Sequence, residues 1–153
     1  MSKKKLQFSR EVSPSPQELF RYWTEPELLK TWFVPKPWSM IDCEVDPRPG
    51  GAFNSVMKGP EGNEISSNGC YLEIVPDHKI VFTDAFSAGF VPNDSAFFVG
   101  TVTFEKTDKG TLYTATVQHW TEEDCSKHAE MGFPGGWQAA LDQLLEQIEM
   151  STV

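Results

Sequence analysis

The sequence predicts an α+β fold in which one antiparallel sheet is covered by a long C-terminal helix. Two observations predict it. Most of the chain before residue 135 alternates apolar with polar residues and is rich in β-branched and aromatic side chains, as expected for strands with one buried face. Residues 135–150 instead carry an apolar stripe at helical spacing, formed by Trp137, Leu141, Leu144, Leu145 and Ile148. We therefore expect this helix to lie across the sheet, either closing on it tightly or leaving a cavity.

Length, composition and charge limit the class of protein. A chain of 153 residues with 39% hydrophobic content is expected to form a single domain, 1–153, with its own core. No apolar run reaches the roughly 18 residues that cross a membrane, and the N-terminus lacks the apolar segment of a secretory signal. The three cysteines do not form a disulfide framework, which favours the cytoplasm. A net charge of -9 argues against nucleic-acid and membrane partners.

The first third of the chain predicts one strand followed by two short helices. Residues 6–12 alternate as a strand does. Ser15 is expected to cap the first helix, with Pro16 at its first position and Glu18 completing a capping box. That helix should end before Pro26, and a second one should cover 26–32.

The middle of the chain predicts the rest of the sheet. Gly50 and Gly51 suit a turn that requires a positive φ, and Gly69 suggests a bulge or a close approach between backbones. A further short helix is expected over 122–131, and residues 133–136 should redirect the chain into the terminal helix. In total we expect a sheet of about six strands, drawn from the segments 6–12, 39–46, 52–58, 64–75, 79–86, 95–106 and 111–120.

Four short motifs, in this order along the chain, resemble those of a known family. They are Thr31-Trp32-Phe33, Asp46-x-Arg48-x-Gly50-Gly51-x-Phe53, Gly69-x-Tyr71-x-Glu73-Ile74-x-Pro76 and Gly136-Trp137-x-x-x-Leu141-x-x-Leu144. The chain thus resembles the helix-grip (START-like, SRPBCC, Bet v 1-like) superfamily, and within it the family named for the activator of the heat-shock chaperone 90 ATPase, often grouped with polyketide cyclases. The resemblance implies a curved antiparallel sheet that grips the terminal helix around an apolar cavity. It implies no catalytic residue, because the family has no shared catalytic motif.

Large apolar side chains are the candidates for a ligand-binding cavity. The alternative is that they simply pack as core, since binding cavities and cores are both mostly apolar. Trp137 and Leu141 should lie nearest the mouth, which we expect beside the loop 87–94. The predicted ligand-binding residues are Trp32, Phe33, Phe53, Tyr71, Phe82, Phe86, Phe97, Trp137 and Leu141.

A few polar residues are candidates for acid–base chemistry. Glu73 and Tyr71 have the same parity on their strand and could both face inward, although Glu73 could equally lie on the solvent face. Asp84 stands among apolar strand residues, where burial would raise its pKa, or it ends the strand at the surface. His119 is a further candidate. His119, Cys125 and His128 do not have the arrangement of a metal site, so no metal and no cofactor are predicted.

Three functions are compatible with these observations. The leading one is a binding protein that encloses a small apolar or amphipathic molecule between sheet and helix. The second is a cyclase- or hydrolase-like enzyme that uses Glu73, Asp84, Tyr71 or His119 in the same cavity. The third, ranked lowest, is a stress-response protein that contacts a chaperone. Only the family name suggests it, and its sole sequence support is the acidic surface and the apolar loop at Phe90 and Val91. The sequence leaves open whether the protein forms a homodimer.

Overall fold

The computed structural model describes residues 4–130 and 135–151, and within them an α+β architecture. The sequence-based prediction of this fold class is confirmed. The elements, in chain order, are β1 (Lys5–Val12), α1 (Pro16–Thr24), α2 (Pro26–Leu29), β2 (Ser39–Val45), β3 (Ala52–Lys58), β4 (Glu64–Val75), β5 (Lys79–Thr83), β6 (Phe86–Ser87), β7 (Val91–Pro92), β8 (Phe98–Thr107), β9 (Gly110–His119), α3 (Glu122–Glu130) and α4 (Gly135–Ser151).

The main sheet is antiparallel and has seven strands, one from each of the seven predicted segments, rather than about six. Seven strands lie in the order β1-β9-β8-β5-β4-β3-β2, and β6 pairs with β7 in a separate two-stranded sheet. The estimate of about six strands was therefore too low. The expected strand over 79–86 is divided because the chain leaves the sheet after Thr83, where the Asp84 side chain accepts hydrogen bonds from the backbone N–H groups of Phe97 and Phe98 at 2.9 and 3.2 Å.

The two short helices follow from local signals at their first residues. Ser15 Oγ accepts the N–H of Glu18 at 3.2 Å, and the Glu18 carboxylate accepts the N–H of Ser15 at 3.4 Å. This is the predicted capping box, with Pro16 at the first helical position. The second helix is shorter than expected and ends at Leu29, so Trp32 lies in the following turn.

The terminal helix packs its apolar stripe into the core as predicted. Leu141 and Leu144 are completely buried, and Ile148 is 4% exposed. Gln143, on the expected polar side, donates from Nε2 to the backbone oxygens of Trp32 and Val34 at 2.8 and 3.0 Å. These two hydrogen bonds connect α4 to the segment that follows α2.

Two glycine predictions are resolved by backbone contacts. Gly50 has φ +81°, and a Cβ on Gly51 would lie 1.9 Å from the Asp46 carbonyl oxygen, so the turn requires both glycines. A Cβ on Gly69 would lie 2.7 Å from the carbonyl oxygen of Thr83, so Gly69 marks a close approach. Of the expected connection 133–136, residues 133 and 134 lie outside the described part of the chain, as does residue 131, the expected end of the preceding helix, whereas Gly135 and Gly136 belong to α4.

Candidate functional site

A cavity of about 580 Å³ opens between the sheet and the first turns of α4. Its walls come from α1, the segment after α2, strands β3, β4, β5, β8 and β9, α3 and α4. The residues that line it are Trp23, Trp32, Phe33, Pro35, Met57, Ile65, Ser66, Ser67, Phe82, Phe97, Phe98, Tyr113, His128, Gly136, Trp137 and Ala140. The described lining contains no Asp, Glu, Lys or Arg.

Aromatic rings form most of the wall and hold one another in place. The Trp23 ring meets the Trp32 ring edge-on at 5.1 Å and the Phe33 ring at 5.3 Å. Trp137 lies nearly parallel to Phe82, with ring centroids 6.4 Å apart and planes at 18°. Such contacts fix the rings beyond simple apolar burial. The wall of the cavity is therefore mostly apolar, and its aromatic rings contact one another.

Two polar side chains, buried Tyr113 and partly buried His128, interrupt this wall. Trp23 Nε1–H donates to the Tyr113 hydroxyl oxygen at 3.1 Å. Burial raises the pKa of Tyr113, and the Trp23 hydrogen bond opposes this rise only in part. Tyr113 therefore keeps its hydroxyl proton at neutral pH.

The second polar group is His128, which pairs with His119. His119 Nδ1 lies 3.1 Å from the Lys4 backbone oxygen, and His119 Nε2 lies 2.9 Å from His128 Nδ1. A carbonyl oxygen only accepts, so His119 must carry its proton on Nδ1. At Nε2, His119 either accepts from His128 Nδ1–H or, when this nitrogen is also protonated, donates to His128 Nδ1. Burial, and secondarily electrostatic repulsion from His119, lowers the pKa of His128.

A smaller pocket of about 120 Å³ adjoins the main cavity. The two share Phe33, Met57, Ser67, Phe82 and Phe98. The smaller pocket adds polar side chains that the main cavity lacks, namely Ser55, Thr83 and Asp84. The aromatic space is thus continued by a more polar extension.

The structure brings five of the nine predicted ligand-binding residues into the main cavity: Trp32, Phe33, Phe82, Phe97 and Trp137. Phe53 lines the smaller pocket. Tyr71 and Leu141 have no exposed surface and lie in the core. Phe86 lies in the β6–β7 sheet and packs edge-on against Phe90 at 6.3 Å, away from the cavity lining.

Glu73 and Tyr71 do not face the same way, because the strand pairing shifts between them. Tyr71 pairs with Phe82 and Glu73 pairs with Val81, so Leu72 is an extra residue in β4. A bulge of this kind reverses the facing of the residues that follow it. Glu73 is exposed and forms an ion pair with Lys79 at 2.8 Å. The alternative in which Glu73 faces inward with Tyr71 is therefore wrong, and the alternative that places Glu73 on the solvent face is correct. The Tyr71 hydroxyl is buried and has no hydrogen-bond partner among the described residues.

The side chains of the other two acid–base candidates form hydrogen bonds with backbone groups. Asp84 accepts from two backbone N–H groups, as described above, and borders the smaller pocket. His119 is 6% exposed and is engaged by Lys4 and His128. None of the described His, Cys, Asp and Glu side chains form a group of three that could hold a metal ion.

The cavity mouth differs from the predicted one. The loop 87–94 borders another pocket, which Ala88, Gly89 and Phe90 form with Gly50 and its neighbours. Exposed Ser66 and Ser67 of β4 border the cavity instead. Sequence reasoning missed the other lining residues, which are Trp23, Pro35, Met57, Ile65, Ser66, Ser67, Phe98, Tyr113, His128, Gly136 and Ala140. A usable signal was present only on α4, where small residues at 136 and 140 occupy the inward side at four-residue spacing.

Comparisons with known proteins place the chain in a family. The model of the family described as "Activator of Hsp90 ATPase homolog 1-like protein" matches residues 13–149. No curated protein matches the chain. Over the described residues no helix has the length and apolar character needed to cross a membrane.

Solved structures agree with this placement. The crystal structure of protein NE0264 from Nitrosomonas europaea is 39% identical, with a TM-score of 0.96 over 99% of this chain and 98% of that one. An AHSA1-like protein from Aeromonas hydrophila is 19% identical, with a TM-score of 0.74 over 97% of this chain and 94% of its own, which shows the shared fold alone. With its antiparallel sheet and C-terminal helix in the helix-grip arrangement, this chain belongs to the family of Activator of Hsp90 ATPase homolog 1-like proteins.

Proposed function

We propose that this protein binds a neutral, apolar or amphipathic small molecule in the cavity between the sheet and α4. The observation that carries the proposal is a cavity of about 580 Å³ with aromatic walls and no charged side chain in its described lining. Small-molecule sites are typically roughly 300–1,000 Å³ in volume and mostly apolar. Transfer of an apolar molecule from water into such a space is favourable in proportion to the apolar area buried.

Binding is better supported than turnover by the positions of the acid–base candidates. Glu73 pairs with Lys79 at the surface, and the Asp84 carboxylate is engaged by backbone N–H groups. Tyr71 lies in the core and His119 lies behind His128. Acid–base catalysis requires at least two such groups to converge on one reacting atom. These four are dispersed, so we assign them no reaction.

We place the protein in the cytoplasm as a single domain of residues 1–153. Cys43, Cys70 and Cys125 are free thiols, a state typical of reducing compartments. The chaperone alternative has weaker support. It depends on the family description and on Phe90 and Val91, which are 48% and 57% exposed.

The proposal can be tested with N-phenyl-1-naphthylamine, a neutral apolar dye whose fluorescence rises in apolar surroundings. We expect saturable binding by the wild-type protein. Ala140→Leu should weaken binding at least tenfold, because its added carbon atoms would occupy the cavity. Ala139→Leu is the matched control, since it changes the neighbouring residue of the same helix, which is not part of the described lining.

The comparison of these two variants decides the outcome. Both replace alanine by leucine within α4, so their intrinsic helix propensities change alike. If the dye does not bind the wild-type protein, or binds both variants equally well, the proposed site is wrong. Thermal unfolding of each variant checks that a loss of binding is not a loss of folding.

A further inference from the structure

The hydrogen bond between Trp23 and Tyr113 has a direction that can be assigned from chemistry alone. The indole Nε1–H is a donor and has no lone pair to accept with. The Tyr113 oxygen must therefore be the acceptor of the 3.1 Å contact. Its own hydrogen is then available for a second bond, and this hydrogen cannot point back at Trp23.

The hydroxyl hydrogen of Tyr113 has no protein acceptor in the described part of the chain. The contacts of Tyr113 there are the Trp23 hydrogen bond and ring contacts with Phe8 and Phe104. Its side chain is only 2% exposed. A buried donor without an acceptor is costly and uncommon in folded proteins. Tyr113 and Trp23 both line the cavity, so the available space for an acceptor is the cavity itself.

We propose that the ligand is a neutral apolar molecule bearing a carbonyl oxygen, and that the Tyr113 hydroxyl donates a hydrogen bond to that oxygen. This inference rests on the proposed function and specifies its ligand class. A carbonyl provides a strong acceptor without a charge, whereas a carboxylate would enter a cavity whose described lining offers no cation. Burial raises the pKa of Tyr113, so the hydroxyl remains a donor throughout the physiological pH range.

The test uses two probes of nearly the same shape. 2-Acetylnaphthalene carries a ketone, and 2-isopropenylnaphthalene replaces the ketone oxygen by a CH₂ group. Each is titrated as a competitor of N-phenyl-1-naphthylamine. One additional hydrogen bond should make the ketone bind roughly two- to tenfold more tightly in the wild-type protein. 2-Naphthoate, an anion, should compete poorly.

Tyr113→Phe should abolish the preference for the ketone while the hydrocarbon still binds. Tyr22→Phe is the matched control, because it removes the hydroxyl of another buried tyrosine, which donates to Ser151 Oγ at 3.2 Å. The preference should persist in that variant. Since Tyr113→Phe leaves Trp23 Nε1–H without its acceptor, the variant is first checked for cooperative unfolding.

Infrared spectroscopy of the wild-type complex gives a readout that does not depend on any variant. The ¹³C-labelled carbonyl of bound 2-acetylnaphthalene should absorb at lower frequency than in a hydrocarbon solvent. An unshifted band, or equal affinity for the two probes, overturns the carbonyl assignment while leaving the binding function standing. If neither probe nor the dye binds, the proposed function fails and this inference fails with it.

Discussion

The two halves of α4 meet the same core in different ways. Residues at positions 136, 140, 144 and 148 follow each other at four-residue spacing and so lie on one side of the helix. They are glycine, alanine, leucine and isoleucine. The first two line the cavity, where Ala140 also packs against the core, whereas Leu144 and Ile148 belong to the core and do not line the cavity. The increase in side-chain size along one helix side therefore accompanies the change from the cavity wall to the core.

This difference separates what holds the fold from what forms the site. Close packing around Leu144 leaves no room for adjustment, so changes there should act on stability. Around Trp137 the helix borders empty space, so changes there should act on ligand binding. Variants at the two ends of one helix can therefore test whether the two properties are separable.

Leu144→Ala should have the largest effect on stability. Leu144 is fully buried, and truncating such a leucine costs about 2–5 kcal/mol of unfolding free energy. Leu145→Ala, at a half-buried position bordering an open groove with Ser13 and Pro14, should cost less. Urea unfolding measures both. Equal costs would contradict the assignment of Leu144 to the packed end, as would a loss of dye affinity in folded Leu144→Ala protein.

Trp137→Ala should have the converse effect. Its ring lies against Phe82 at the edge of the cavity, so removal should weaken dye binding about tenfold, equivalent to roughly 1.4 kcal/mol. Its cost in unfolding free energy should be smaller than that of Leu144→Ala, because the indole is only partly buried. If Trp137→Ala and Leu144→Ala reduced stability alike and left the dye affinity unchanged, α4 would be a cover on a solid core.

Periodicity predicted the elements well, because strand alternation and helical spacing depend on local sequence. The capping box at Ser15 and the terminal helix were both correct. The bulge at Leu72 was not predicted, because it depends on pairing with β5. It decides between the two alternatives that the sequence left open for Glu73, and it places this side chain on the solvent face. Trp23, the hydrogen-bond partner of Tyr113, lies 90 residues away along the chain, and His119, the partner of His128, lies nine residues away on a different element. Polar contacts in a cavity wall therefore required the three-dimensional arrangement.

The cavity end, unlike the packed end, should respond to mild acid through His128. Burial and the neighbouring His119 lower the pKa of His128 from its ordinary value of 6.5. The unfolded chain therefore binds more protons than the folded protein between that lowered pKa and 6.5. The contribution of His128 to the free energy of unfolding is complete above pH 6.5 and declines as the pH falls from 6.5 to the lowered pKa. Dye affinity should decline over the same pH range, because protonated His128 places a charge in the apolar wall.

NMR titration of the His128 ring measures the pKa directly, and urea unfolding at a series of pH values measures its effect. His128→Asn is the matched variant. The Asn side-chain amide can take the place of the His128 Nδ1 atom that faces His119, and it does not titrate. This variant should lose the portion of the pH dependence that His128 contributes to both stability and dye binding. A titration midpoint for the His128 ring at or above pH 6.5 would show that the cavity wall does not desolvate this ring. It would also remove the expected difference between the two ends of α4 in their response to acid.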